Sequence, residues 1–176
     1  MRHIRPAITE DMAKSVACAL VGARLDYANS VLFNMTSKNV THLQRAQNAA
    51  ARVVVWGFSR RSTKSSNILE QLHWLPIEWR IKFKIAYITY KTVFTTQPAY
   101  LHSLLKHYVP SRTLHSSGSN LLFVPRVCTG FGSRSFSVAT PIIWNSLLLD
   151  IRNSSTISCF RRQLKTFFYK AAFRPP

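Results

Sequence analysis

The run IEWRIKFKIAYITYKTVF, Ile77 to Phe94, decides how the rest of the chain is read. Pro76 stands just ahead of it, where a missing N–H costs little and the fixed φ already suits a helix, so a helix is expected from Ile77 to about Phe94. Placed at 100° per residue, that helix has two apolar sides. Ile77, Ile81, Ile85 and Ile88 form one, and Trp79, Phe83, Ala86, Tyr90, Val93 and Phe94 form the other. A helix that is apolar twice over lies between two packed layers, which places it at the centre of the fold. Between the two sides runs a narrow stripe of Arg80, Lys84, Tyr87 and Lys91, which lines up three cations with an aromatic ring. Cations in such a row can grip phosphates, and the ring can stack on a base.

Working upstream, the block Leu72 to Pro76 (LHWLP) reads as a packing corner, with Trp74 and Leu75 buried and Pro76 opening the next helix. Before it lies a polar stretch, Ser59 to Asn67, in which Arg60, Arg61 and Lys64 sit among serines. Its composition predicts a mobile loop able to follow a phosphate backbone. Another helix precedes the loop, with Val40, Leu43, Ala46, Ala50, Val53 and Val54 as its apolar stripe, an end near Trp56 and Gly57 as its stop. On the side away from that stripe, Thr41, Arg45, Asn48 and Arg52 fall together as the cleanest polar face in the chain. After a break at Asn34 to Ser37, the first helix is expected from a Thr9 cap, with Glu10 and Asp11 at its positive end, to about Phe33. Met12, Val16, Ala19, Leu20, Ala23 and Tyr27 are its expected inward face.

Downstream, a short helix from about Ala99 to Tyr108 follows Pro98, and the serine-rich connection Pro110 to Asn120 carries Arg112 and Gly118. A lobe boundary is placed there, giving a helical lobe over 1–110 and a smaller lobe over 111–176, packed as one unit. Two readings of the next segment stay open. In one, Leu121 to Val124 and Ser135 to Val138 pair as a two-stranded β-ribbon around Gly130 and Gly132. In the other, Phe136, Val138 and Ala139 open a helix that continues through Trp144 with Pro141 near its start. Both bury Phe136 and Trp144. The last helix starts at a Ser155 or Thr156 cap and turns Ile157, Phe160, Leu164, Phe167, Phe168 and Ala171 inward, with Arg162, Lys165 and Tyr169 facing away. The expected fold class is mainly α.

Charge narrows the partners. The chain has 176 residues, of which 24 are lysine or arginine and six are acidic, for a formal charge of +18. Such a field repels itself unless an anionic partner is at hand, so RNA or DNA is expected as the ligand. The six carboxylates, Glu10, Asp11, Asp26, Glu70, Glu78 and Asp150, are too few and scattered for two-metal phosphoryl transfer, and Asp26 is expected to pair locally with Arg24 or a neighbouring basic group. His102 and His107 are spaced so that they do not share a helix face, which argues against a metal site. Neither a G-x-S-x-G turn nor a cysteine in a catalytic setting occurs, and Gly130-Phe131-Gly132 lacks the rest of a dinucleotide fingerprint. No enzymatic activity, cofactor or small-molecule substrate is therefore expected. Cys18, Cys128 and Cys159 are far apart and unpaired in spacing, and read as buried thiols. The run Val16 to Ala23 falls far short of the roughly 18 apolar residues that cross a bilayer. Charged residues precede the first apolar run, so the sequons at Asn34, Asn39 and Asn153 are expected to go unused, and the chain is expected in the cytoplasm or nucleus and not secreted.

Several ordered blocks carry a resemblance: RLDYANSVLF (Arg24 to Phe33), LQRAQNAAARVV (Leu43 to Val54), LHWLPIEWRIKFKI (Leu72 to Ile85) and TYK (Thr89 to Lys91). PAYL (Pro98 to Leu101), YVPSRTLHSS (Tyr108 to Ser117), GSRSFSVATPIIWNSL (Gly132 to Leu147) and IRNSSTISCFRRQLKTF (Ile151 to Phe167) continue the series. Over nearly its whole length the chain resembles the segment after the polymerase domain in non-LTR (LINE) retrotransposon reverse transcriptases, particularly the chicken-repeat and Jockey-like group. It departs at Ala28, where the family often has cysteine, at His115, where arginine is common, and at Leu148, where proline is usual. The resemblance implies a region at and beyond the thumb, with the polymerase aspartates and the endonuclease domain ahead of Met1. It implies a non-catalytic role in holding template RNA, primer DNA or their hybrid. Arg45, Arg52, Arg60, Arg61, Lys64, Arg80, Lys84 and Lys91 are then the candidate phosphate contacts and Tyr87 the candidate stacking ring. Two alternatives remain beside it: a module whose basic face docks on an acidic partner or on the polymerase domain of a full-length element, and a transposon-derived remnant without selected function.

Overall fold

The computed structural model describes residues 3–55, 64–110 and 120–174. Among them the chain is mainly α, and no strand forms. Helix α1 spans Glu10–Ala17 and begins as expected: Thr9 Oγ1 accepts from the Met12 N–H at 3.3 Å, with Glu10 and Asp11 in the first turn. A π-helical turn, Cys18–Gly22, leads into α2, Ala23–Asp26. The helix expected to reach Phe33 stops there, because Tyr27 turns to extended backbone, Ala28 takes φ 48° and Asn29–Leu32 form a 3-10 turn. Helix α3 spans Ser37–Val54, α4 Ser65–Gln71, α5 Ile77–Thr95 and α6 Ala99–His102; α7 spans Phe136–Asn145, α8 Leu149–Arg152 and α9 Ile157–Phe173. Ser65, Ser66 and Asn67, expected in a loop, thus open α4.

Two compact units divide the chain, each assembled from separated stretches: Met1–Asn29, Met35–Ile81 and Tyr169–Pro176 in one, Ser30–Asn34 and Lys82–Phe168 in the other. The core of the first joins Ala13 and Ala17 of α1, Ala51 and Val54 of α3, and Ile68, Leu69 and Leu72. This overturns the expected inward face of α1, since Met12, Leu20 and Tyr27 stand 56 %, 62 % and 84 % exposed. Alanines at Ala13, Ala17 and Ala51 let two helices approach closely, and the larger side chains turn outward to allow it. Arg5, buried, closes the C-terminal end of α3. Its Nε and Nη2 donate to Val54 O at 3.0 and 2.8 Å and its Nη1 to Ile8 O at 2.9 Å, where the helix dipole favours a cation.

Helix α4 ends in a paired cap. Trp74 N–H donates to Leu69 O at 2.9 Å and His73 N–H to Glu70 O at 3.0 Å, while His73 sits at φ 55°. Trp74 then packs on the cluster that holds Leu69, Leu75 is buried, and α5 starts right after Pro76. Tyr169, expected to face away, instead donates its hydroxyl to Glu70 O at 2.9 Å.

In the second unit Trp144 and Phe160 are fully buried, with ring centroids 6.0 Å apart, and Tyr90 stacks on Phe160 at 4.2 Å while donating to Ser154 O at 2.7 Å. Helix α9 is capped by Thr156, whose Oγ1 accepts from Cys159 N–H at 3.2 Å, and it buries Phe160, Leu164 and Phe168. Ser135 to Val138 do not form a ribbon strand: Ser135 O accepts from Val138 and Ala139 N–H, so this segment starts α7. The partner of the 121–124 segment is the 106–108 segment, through one antiparallel bridge between His107 and Leu122. That pairing holds 106–108 extended and ends the helix expected to reach Tyr108 at His102. Phe136 is only half-buried. Cys18 and Cys128 are exposed and Cys159 is half-buried, so the expectation of three buried thiols is corrected.

Candidate nucleic-acid interface

Helix α3 presents its polar face as expected: Thr41, Arg45 and Arg52 are exposed and Asn48 is half-buried. Arg45 and Arg52 lie two turns apart, about 10 Å along the axis. What orients this face is a chain of amides running from Asn48 on the face through Gln44 to the buried Gln47. Gln47, buried, donates to Leu75 O at 2.8 Å, and Gln44 accepts from Ile77 N–H at 2.9 Å while donating to Gln47 Oε1 and Asn48 Oδ1 at 3.0 and 2.9 Å. Gln44 thereby satisfies one of the free N–H groups at the start of α5. Sequence periodicity could not find this network, because a buried glutamine has no apolar signature. Arg52 Nη2 donates to Ser65 Oγ at 2.9 Å, which brings Arg52 to the residue that follows the exposed Lys64.

Arg80 is engaged elsewhere. Its Nε and Nη2 reach Asp26 Oδ1 and Oδ2 at 2.8 and 2.5 Å, a two-pronged pair whose arginine side chain is 18 % exposed. Asp26 therefore pairs across 54 positions of sequence and not with its neighbour Arg24, as expected from proximity. The remaining stripe residues belong to the second unit: Lys84 and Tyr87 are half-buried on α5, Lys91 is exposed, and the Tyr87 ring lies parallel to Phe83 at 6.5 Å. Arg60 and Arg61 lie outside the described residues. The candidate set is thus divided between the units, with Arg45, Arg52, Lys64 and Arg80 in the first and Lys84, Tyr87 and Lys91 in the second.

The units differ in electrostatic make-up. Five of the six acidic residues belong to the first, whereas the second holds eleven lysines and arginines against Asp150 alone. Within it Arg152 is 6 % exposed, its Nε and Nη1 have no acceptor among the described residues, and burial pulls the guanidinium below the usual arginine range. Burial likewise pushes the Tyr90 hydroxyl up, with a smaller push from Cys159. Among the described residues no group of three or more histidine, cysteine, aspartate or glutamate side chains gathers to hold a metal ion, and no helix is long and apolar enough to cross a membrane. No family model, curated protein or solved structure matches the chain.

Proposed function

We propose that this chain is a nucleic-acid-binding accessory region of the kind that follows the polymerase domain in LINE-type reverse transcriptases, holding template RNA, primer DNA or their hybrid by its phosphates. The observation that carries this reading is the state of its cations. Arg45, Arg52, Lys64 and Lys91 stand exposed, and among the described residues none has a carboxylate partner. Long side chains with free donors are what a phosphate backbone requires, and the formal +18 supplies the attraction. Arg80, held by Asp26, serves the fold in this reading and Tyr87 remains the candidate stacking ring.

The test is binding of the full chain to a labelled RNA–DNA hybrid and to single strands across a salt series, beside a variant with R45E, R52E, K84E and K91E. Affinity should fall linearly on logarithmic axes with salt, and the folded variant should lose it. A folded wild type that binds none of these probes at low salt refutes the reading. One observation favours attachment to protein instead: Met12, Leu20 and Tyr27 expose apolar surface that a polymerase body would cover. Tight binding to such a body that is indifferent to salt is the result that would select it.

A further inference from the structure

We infer that the face of α9 carrying Arg161, Arg162 and Lys165 is itself a phosphate-contact surface, engaging successive phosphodiesters of one nucleic-acid strand. The inference rests on the proposed nucleic-acid reading and adds a site outside the α3 and α5 cations. All three side chains are exposed. At 100° per residue they fall within about 100° of helix circumference, with Arg162 opposite the buried Phe160, Leu164 and Phe168, Lys165 between, and Arg161 at the border of that buried side, about 20° from Phe168. They span roughly 6 Å of axis, against one phosphate per roughly 3.4 Å of duplex axis on each strand, so three flexible arms can reach two or three phosphates.

Nothing in the helix neutralises them. Its 17 residues contain no aspartate or glutamate, and Lys165 stands four residues after Arg161 and three after Arg162, the spacings at which like charges repel. The nearest acidic residue in sequence, Asp150, lies outside α9 and is the second unit's only one. Arg152, buried with no acceptor for Nε or Nη1 among the described residues, adds a further positive charge to the same unit. A polyanion relieves this repulsion, which no group of α9 itself does. The apolar side of α9 is consumed by the core, so the helix has no face to lay into a lipid surface, and a strand of phosphates is the partner it fits.

The experiment uses the full chain with R161Q, R162Q and K165Q together. Glutamine is a good helix former, and the sites are exposed, so the circular dichroism and thermal transition should match wild type. Single-stranded RNA binding is measured across a salt series. At about 0.7 per phosphate, loss of two or three contacts should make the log–log salt slope shallower by about 1.4 to 2. A charge-keeping variant, R161K with R162K, should retain the wild-type slope. If wild type binds and the folded triple variant binds with the same slope, this inference falls while the R45E, R52E, K84E and K91E result still decides the wider reading. If wild type binds no probe, the wider reading falls and takes this one with it.

Discussion

Replacing Arg152 by methionine should make this chain more stable. Methionine keeps the unbranched stem that packs in the core and removes the guanidinium. In the wild type two donors, Nε and Nη1, are enclosed with no acceptor among the described residues, and the residue is 6 % exposed. Each unsatisfied buried donor costs roughly 1–3 kcal/mol, and the charge adds its own desolvation, so R152M should gain at least about 2 kcal/mol. For a chain of this size that corresponds to about 4–8 °C in melting temperature. The assay is thermal and urea unfolding of the purified chain at low ionic strength, with R152Q as an intermediate that removes the charge and keeps polar atoms. Because the chain forms two units, the shift belongs to the second unit's transition if they melt separately. A destabilisation of R152M by 1 kcal/mol or more would show that the guanidinium has a partner, and the reasoning would be wrong.

Other outcomes follow from individual contacts. D26A releases Arg80; it should cost about 1 kcal/mol, because the pair is only partly buried, and should steepen the salt slope of nucleic-acid binding by up to about one as the freed guanidinium meets phosphate. A28G removes a left-handed alanine whose side chain is exposed and should stabilise by up to about 1 kcal/mol in the same unfolding assay; a loss would mean the methyl group has an unseen role. Tyr90 has its folded pKa raised, so the stability it contributes is full below the ordinary value of about 10 and is lost as pH rises through the folded value. Y90F should therefore cost about 1 kcal/mol at pH 8, from the lost hydrogen bond to Ser154 O, and this deficit should shrink as pH rises through the folded value; parallel pH profiles would contradict this.

The sequence made the ends of elements more legible than their faces. Thr9 and Thr156 cap where a hydroxyl ahead of a periodic run predicts, and Pro76 opens α5 as its fixed φ requires. The inward side of α9 was equally readable, because Phe160, Leu164 and Phe168 are large and regularly spaced. On α1 the same procedure failed. A hydrophobic stripe weights large side chains, whereas close packing against α3 selects alanines, which periodicity scores weakly. Nor could local reading find that Asp26 holds Arg80 or that Gln47 bonds Leu75 O, since each contact depends on which distant segments the fold brings together. The candidate interface suffered most: a stripe of cations along one helix says nothing about which cation already has a carboxylate.

Asn145 has a consequence beyond α7. Its side-chain amide accepts from Leu122 N–H at 2.9 Å and donates to Leu122 O at 2.8 Å, while Trp144 Nε1 donates to Asn120 O at 2.8 Å. The neighbouring Leu121 O and Phe123 N are taken by the backbone of Tyr108 and Lys106. One side-chain amide thus plays the part of a peptide group from an absent third strand, and both edges of this extended piece are filled. A pair of bridged segments left open on one side is a template on which a second chain can stack; here the template is stoppered by one residue. Losing that stopper would leave the N–H and C=O of buried Leu122 without partners, and an edge left unsatisfied in this way is where a second chain's backbone can pair.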